Sequence, residues 1–356
     1  MVGGKLAVQS FFMISGFYMS LILNEKYVAE RYSYRLFITN RLLRIFPLYW
    51  VVLFFSLALS VLFLLGSANK DALLLAPFLN YELTFLSLVF IVLSNAGIFG
   101  IDLTLFLSYL PGGNLHFTGH FQDSVPPVYS FMLIPQAWSL SLELYFYLIA
   151  PFFLRSKDNK LFILLLSSVF LRIFLHRYFK CDSDPWTYRF FLTELVFFIL
   201  GAYSYRFYTL LKRHPPGKII SGLTFAVIVL STISFGFFGG NKLTVFSFEL
   251  RELVYLSLVF FSIPVLFFQF RNNRMDAFIG ELSYPVYIVH LIIIIILGRF
   301  IHGDLLAFSG VAASILVSII LNRLVTQPID KYRQKRVQKA AETANNRGQE
   351  LMDERQ

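Results

Sequence analysis

The sequence predicts an all-α fold, a polytopic transmembrane helix bundle of about nine crossings, with a possible re-entrant hairpin between the second and the third. Two observations predict it. Hydrophobic residues make up 57% of the 356 and charged residues 15%, with a mean hydropathy of +0.66, a balance outside that of soluble domains. Apolar runs long enough to cross a bilayer alternate with short segments rich in Lys and Arg. The net charge of +10 is therefore read as membrane topology, and nucleic acid is not an expected partner. The single cysteine, Cys181, excludes an intrachain disulfide and offers no CxxC pair for a metal or redox centre.

The first span covers residues 6–23. Only Lys5 and the terminal amine precede it, whereas Lys26, Arg31, Arg35, Arg41 and Arg44 follow it, so the positive-inside bias puts its start outside and its end in the cytoplasm. No charged n-region or A-x-A-like site explains this as a cleavable signal, and a further span is expected upstream. Ser15 and Gly16 suit close helix packing. The next span runs to about residue 65, with Arg41 and Arg44 three apart at its start, where two guanidinium forks can grip phosphates. Tyr49 and Trp50 suit an aromatic belt, and Pro47 marks a kink. Residues 83–107 are long enough to cross, but the following loop, 108–135, contains no Lys or Arg and reads as external. The break at Ser94-Asn95-Ala96-Gly97 is accordingly read as the tip of a re-entrant hairpin. In the loop, His116, His120 and Asp123 have a spacing that a helix could turn into metal ligands. Gly112, Gly113 and Gly119 argue against a helix, and no metal is assigned.

The central stretch, QAWSLSLELYFYLIAP over residues 136–151, is apolar enough to enter a bilayer yet carries Glu143. On a helix Gln136, Ser139, Glu143 and Tyr147 form one polar stripe flanked by Leu140, Leu142, Leu144 and Leu148. An ionisable group there costs roughly 2.5 to 3.5 kcal/mol on insertion scales, so Glu143 is read either as a helix-to-helix hydrogen-bonding group or as the lining of a reaction chamber. Spans then follow at 137–154, 161–175, 190–205, 219–238, 245–268, 284–299 and 305–325. Cytoplasmic turns are marked by Arg155, Lys157 and Lys160, by Arg206, Lys212, Arg213 and Lys218, and by Arg271 and Arg274. Arg172 and Glu194 lie in apolar company and are expected to meet polar partners or line the chamber, their mutual pairing being one solution. Glu249, Arg251 and Glu252 are read as solvated or paired. Ser283 is read as a helix cap and Pro285 as its first turn, which puts His290 on the order of 10 Å into that span. The membrane domain is expected over residues 1–328, closing at Thr326-Gln327-Pro328. Residues 329–356 form a mixed-charge cytoplasmic tail, frayed helix or disordered, to which no chemistry is assigned.

FFMISGF (11–17), NRLLRIFPLYW (40–50), WSLSLELYFY (138–147), ELSYPVYIVH (281–290) and the QP at 327–328, in this order, resemble the motifs of the acyltransferase-3 family of integral-membrane O-acyltransferases. The resemblance implies transfer of an acyl group, commonly acetyl, from cytoplasmic acyl-coenzyme A to a hydroxyl of an envelope polysaccharide or lipid-linked glycan, in the cytoplasmic (inner) membrane. It implies that Arg41 and Arg44, matching an RxxR motif, hold the donor. It puts Glu143 and His290 forward as catalytic, with Ser15, Trp138, Ser139, Tyr147, Tyr284 and Tyr287 lining the chamber. No bound cofactor or metal is implied; acyl-coenzyme A is a co-substrate, and the partners are donor, glycan acceptor and membrane lipids. The chain departs from the pattern at Gln327, where an acidic residue often stands, and the family's span with an Arg and a catalytic His ahead of FFxxSGF has no counterpart in this sequence. Which of Glu143, His290 or an outer-loop His serves as base stays open. So do two other readings: an inactive truncated relative, and a transporter or flippase of lipid-linked sugars, for which internal repeats or paired broken helices are expected and not visible.

Overall fold

The computed structural model describes residues 2–27, 34–66, 73–155, 158–237, 244–245 and 248–353. Arg31 and Lys157, assigned above to basic turns, lie outside the described residues. In chain order the elements are α1 (Gly4–Glu25), α2 (Tyr34–Gly66), α3 (Ala76–Asn80), α4 (Phe85–Gly97), β1 (Leu107–Leu110), β2 (Asn114–Phe117), α5 (Ala137–Phe153), α6 (Asp158–Phe179), α7 (Phe191–Leu211) and α8 (Lys218–Ser234). They continue with β3 (Thr244–Val245), β4 (Phe248–Glu249), α9 (Leu250–Phe270), α10 (Arg274–Leu297), α11 (Asp304–Leu321) and α12 (Gln327–Asp353). Helices dominate because a bilayer leaves backbone N–H and C=O groups no partner but one another. Among the described residues α1, α2, α6, α8, α9, α10 and the continuous run from α11 into α12 are long and apolar enough to cross a membrane. α5 and α7 occupy the other two runs expected to cross.

The chain forms two compact units. The first comprises Met1–Lys26, Ile98–Tyr129 and Trp138–Ala277. Its axis is the contact of α1 with α7, where backbones touch: a Cβ on Gly16 would lie 1.9 Å from the Phe198 carbonyl oxygen, and one on Gly201 would lie 2.0 Å from that of Met13. Phe12 stacks on Phe198 at 4.5 Å and Phe146 stacks on it at 4.2 Å, which ties α5 to the same pair. Gly201→Ala should therefore cost about 3 kcal/mol, the upper end of overpacking, because the opposing atoms are backbone. Gly222→Ala on α8, where nothing lies within 4 Å, should be neutral or slightly stabilising. Unfolding of both variants in mixed detergent micelles checks the contrast; equal stability would mean α1 and α7 do not touch there.

Arg172 on α6 and Glu194 on α7 form the buried ion pair that the sequence allowed, at 2.5 Å. Gln9 of α1 donates to the same carboxylate oxygen at 3.3 Å, and Arg172 also donates to the carbonyls of Thr187, at 2.8 Å, and Thr193, at 3.1 Å. At the end of α9, Glu249 and Arg251 pair with each other and Glu252 pairs with Lys5. After residue 107 the glycines that argued against a helix close a hairpin instead. β1 pairs antiparallel with β2, and the turn between them holds Gly112 at φ +88° and Gly113 at φ +82°, where other residues are strained. His116 stands exposed on β2; His120 and Asp123 are exposed in the turn that follows.

The second unit comprises Tyr27–Gly97, Ser130–Ala137 and Phe278–Gln356. Here α4 stops at Gly97, at the break the sequence predicts. One other boundary differs from expectation. α10 starts at Arg274, well before Ser283, because Asn273 caps it: its Oδ1 accepts the Met275 N–H at 2.8 Å. Ser283 is no cap; its hydroxyl donates back to the Gly280 carbonyl at 2.7 Å, and Pro285 lies inside the helix. His290 is consequently about 24 Å along α10 from its start at 1.5 Å per residue, not 10 Å. Beyond Thr326-Gln327-Pro328 the chain continues as helix, one of the two forms expected of the tail. α11 passes through one π-helical turn, Asn322–Thr326, straight into α12. The wider turn accommodates Pro328, which would clash with the carbonyl four residues back in a regular α-helix. Asn322 and Gln327 both donate to Glu281 of α10 at 3.3 Å, which pins the turn.

Candidate functional site

In the second unit, α2 places Arg41 and Arg44 one turn apart but in different surroundings. Arg41 is 5% exposed, with its guanidinium carbon 5.9 Å from the centre of the Phe37 ring. Arg44 is exposed and lines a shallow recess with Pro47, Thr326 and Asp330. The shared face expected from their spacing thus divides into a buried and an open guanidinium.

α10 in the same unit carries Tyr284, Tyr287 and His290. The Tyr284 hydroxyl donates to the Ile45 carbonyl at 2.8 Å. Tyr287 and Gln136 are bonded reciprocally: the Tyr287 hydroxyl donates to the Gln136 carbonyl at 3.0 Å, and the Gln136 amide donates to the carbonyls of Tyr287 and Ile288 at 3.1 and 2.7 Å. The segment that presents Gln136 is held by Asn95, which accepts the Leu133 N–H at 2.8 Å and donates to the Phe131 carbonyl at 3.0 Å. His290 Nδ1 lies 2.7 Å from the Tyr287 carbonyl oxygen. A carbonyl can only accept, so Nδ1 is the donor, and in the neutral imidazole that tautomer leaves Nε2 as the acceptor.

In the first unit, α5 buries Ser139, Glu143 and Tyr147 along one stripe, as its periodicity predicts. Glu143 accepts a hydrogen bond from Ser15 of α1 at 2.9 Å and a short one from Tyr147, one turn along its own helix. Trp138 is 6% exposed, with Arg189 stacked 4.6 Å over its ring and Tyr188 edge-on at 5.6 Å. Asp184 fixes Arg189 through a 2.7 Å bond to its Nε; burial pushes the Asp184 carboxyl above its usual pKa, and the guanidinium only partly offsets this. A second stripe on α5 escaped the sequence reading. Ser141 and Tyr145 donate to buried Asp102 at 2.7 and 2.9 Å. Their spacing of four on the helix was the available signal.

The two units thus hold, separately, a pair of arginines with an oriented imidazole and a buried carboxylate bonded by two hydroxyls. A family model described as an acyltransferase domain, the acyltransferase-3 model, matches residues 2–323. The chain belongs to the acyltransferase-3 family. Membership makes this acyltransferase-3 chain a transferase with an acyl donor and an acceptor, and its helix composition makes it a multi-pass membrane protein. The matched residues of this acyltransferase include Arg41, Arg44, Glu143 and His290 and stop short of α12. No curated protein and no solved structure matches the chain.

Proposed function

We propose that the chain is an O-acyltransferase of the cytoplasmic membrane, its C-terminus in the cytoplasm, that moves an acetyl group from acetyl-coenzyme A to a hydroxyl of an envelope polysaccharide or lipid-linked glycan. The observation that carries this reading beyond the family is His290: an imidazole on an apolar helix, its Nδ1 proton committed to the Tyr287 carbonyl and its Nε2 available as a base. In the reaction the acceptor oxygen attacks the thioester carbonyl carbon, the new C–O bond replaces the C–S bond, and the hydroxyl proton passes through His290 to the departing thiolate. Arg41 and Arg44 seat the donor phosphates, a task suited to guanidinium forks. Tyr284 and Tyr287 line the path beside them on α10. In the first unit Glu143 is the catalytic carboxylate, with Ser15, Trp138, Ser139 and Tyr147 as its lining. The lysines and arginines at helix ends support the orientation.

The test is acetyl transfer from labelled acetyl-coenzyme A to surface polysaccharide, analysed by mass with and without this gene product. In the same assay Arg41→Ala should raise KM for the donor roughly tenfold with little change in kcat, as loss of a charge-assisted hydrogen bond predicts. Glu143→Gln should lower kcat about tenfold at unchanged protein level. Polysaccharide of the same mass in both strains removes the proposal.

A further inference from the structure

α6 and α9 both pack on α7, and in the first unit they leave a groove of about 300 Å³ over it, at the lower end of the range of ligand cavities. Phe197 and Leu200 of α7 form its floor, Ile173 of α6 one wall, and Leu256 and Phe261 of α9 the other. Arg172 and Phe248 close one end, with the guanidinium carbon 4.9 Å from the centre of the ring. That guanidinium is already paired with Glu194, and the floor and walls are apolar. The groove is open along its side. Phe261 at its lip is 55% exposed, and Phe170 on α6 and Val254 on α9 beside it are 67% and 53% exposed. α6 and α9 are both long and apolar enough to cross a membrane, so the open side faces hydrocarbon rather than water. From Leu253 to Phe261 along α9 the groove runs about 12 Å at 1.5 Å per residue, within the depth of one leaflet of a core ~30 Å thick. What reaches such a groove is a hydrocarbon chain that slides in from the bilayer.

The closed end indicates which chain. Arg172 donates there to the Thr187 carbonyl at 2.8 Å, and the next two residues, Tyr188 and Arg189, pack on the Trp138 ring at 5.6 and 4.6 Å. Trp138 stands in the first turn of α5, the helix that carries Glu143. A lipid with its tail in the groove therefore carries its head past Thr187 toward Trp138. We propose that the groove between α6, α7 and α9 holds the hydrocarbon tail of a lipid-linked acceptor, whose saccharide emerges beside Thr187. The inference rests on the acyl-transfer reading above and narrows the acceptor to the lipid-linked class.

The probe is polyprenyl phosphate with a diazirine in its tail, photolysed with the full chain in phosphatidylcholine nanodiscs. Label is expected on the peptides of α6, α7 and α9 that border the groove. Ser257→Trp sets an indole into the groove from an exposed position on its rim and should cut that labelling about tenfold, the equivalent of losing roughly two buried methylenes. In transfer assays it should raise the KM for a lipid-linked glycan about tenfold relative to the KM for the same glycan without its lipid; a folding defect moves both alike. Equal labelling of the parent and Ser257→Trp, with an unchanged KM ratio, would leave acyl transfer standing and remove the tail site. Equally strong labelling of the same peptides by a diazirine phosphatidylcholine would mean that bulk lipid fills the groove, and would overturn the proposal. If the parent transfers no acetyl group while Ser257→Trp still loses the label, the groove stands as a polyprenyl site and the acyl-transfer reading falls, taking the acceptor role with it.

Discussion

His290→Ala should lower kcat for acetyl transfer by about a hundredfold to ten-thousandfold, the range expected when a positioned general base is removed. The donor KM should change little, since no phosphate contact is assigned to the imidazole. Magnitudes separate this from a folding effect. The hydrogen bond that His290 makes among the described residues, from Nδ1 to the Tyr287 carbonyl, is worth about 1 kcal/mol, and its loss leaves a carbonyl that still accepts from Gln136. Initial rates at matched protein level, with thermal unfolding of the purified chain alongside, make the comparison. Parent-like turnover in His290→Ala would exclude the imidazole as base and leave Glu143 as the carboxylate to examine.

Glu194→Ala should destabilise the first unit by about 3–5 kcal/mol, the usual cost of breaking a buried ion pair from one side. After the substitution the Arg172 guanidinium keeps, among the described residues, the carbonyls of Thr187 and Thr193 and the faces of Phe248 and Phe197, at 4.9 and 5.8 Å. The paired replacement Arg172→Met with Glu194→Leu should return most of that loss, because apolar groups of similar volume need no partner. A double-mutant cycle by unfolding in mixed micelles reads the coupling. Additive single effects would mean the two charges do not interact.

These two residues also show what the sequence makes visible. A charge inside an apolar run announces that it needs a partner, so Arg172, Glu194 and Glu143 stood out, and the stripe of Ser139, Glu143 and Tyr147 followed from helical spacing alone. The break at Gly97 and the hairpin turn at Gly112 and Gly113 were equally legible through local backbone chemistry. What failed were boundaries set by punctuation that tertiary structure overrides. Ser283 and Pro285 resemble a helix start, yet Asn273 caps α10 earlier, and a buried membrane helix tolerates the proline. α12 reads as a polar tail because its composition carries no apolar face long enough to cross. It is held by Arg336 on Asn40 and Thr39, a contact spanning nearly 300 residues of chain, which no window of sequence displays. The burial of Arg41 beside an exposed Arg44 has the same origin: spacing puts both near one face, and only the neighbours decide which of them meets solvent.

The packing of α1 on α7 has a consequence for biosynthesis. Gln9 and Glu194 are 185 positions apart, so at ribosomal speeds of about 5–20 residues per second α1 is in the bilayer roughly 10–40 s before its partner exists. During that interval Gln9 faces lipid or an insertase without the carboxylate it later donates to, and Ser15 waits about 6–26 s for Glu143, 128 positions on. Assembly of the first unit is therefore a late event, and nascent chains arrested before Leu211 should be the natural clients of membrane quality control.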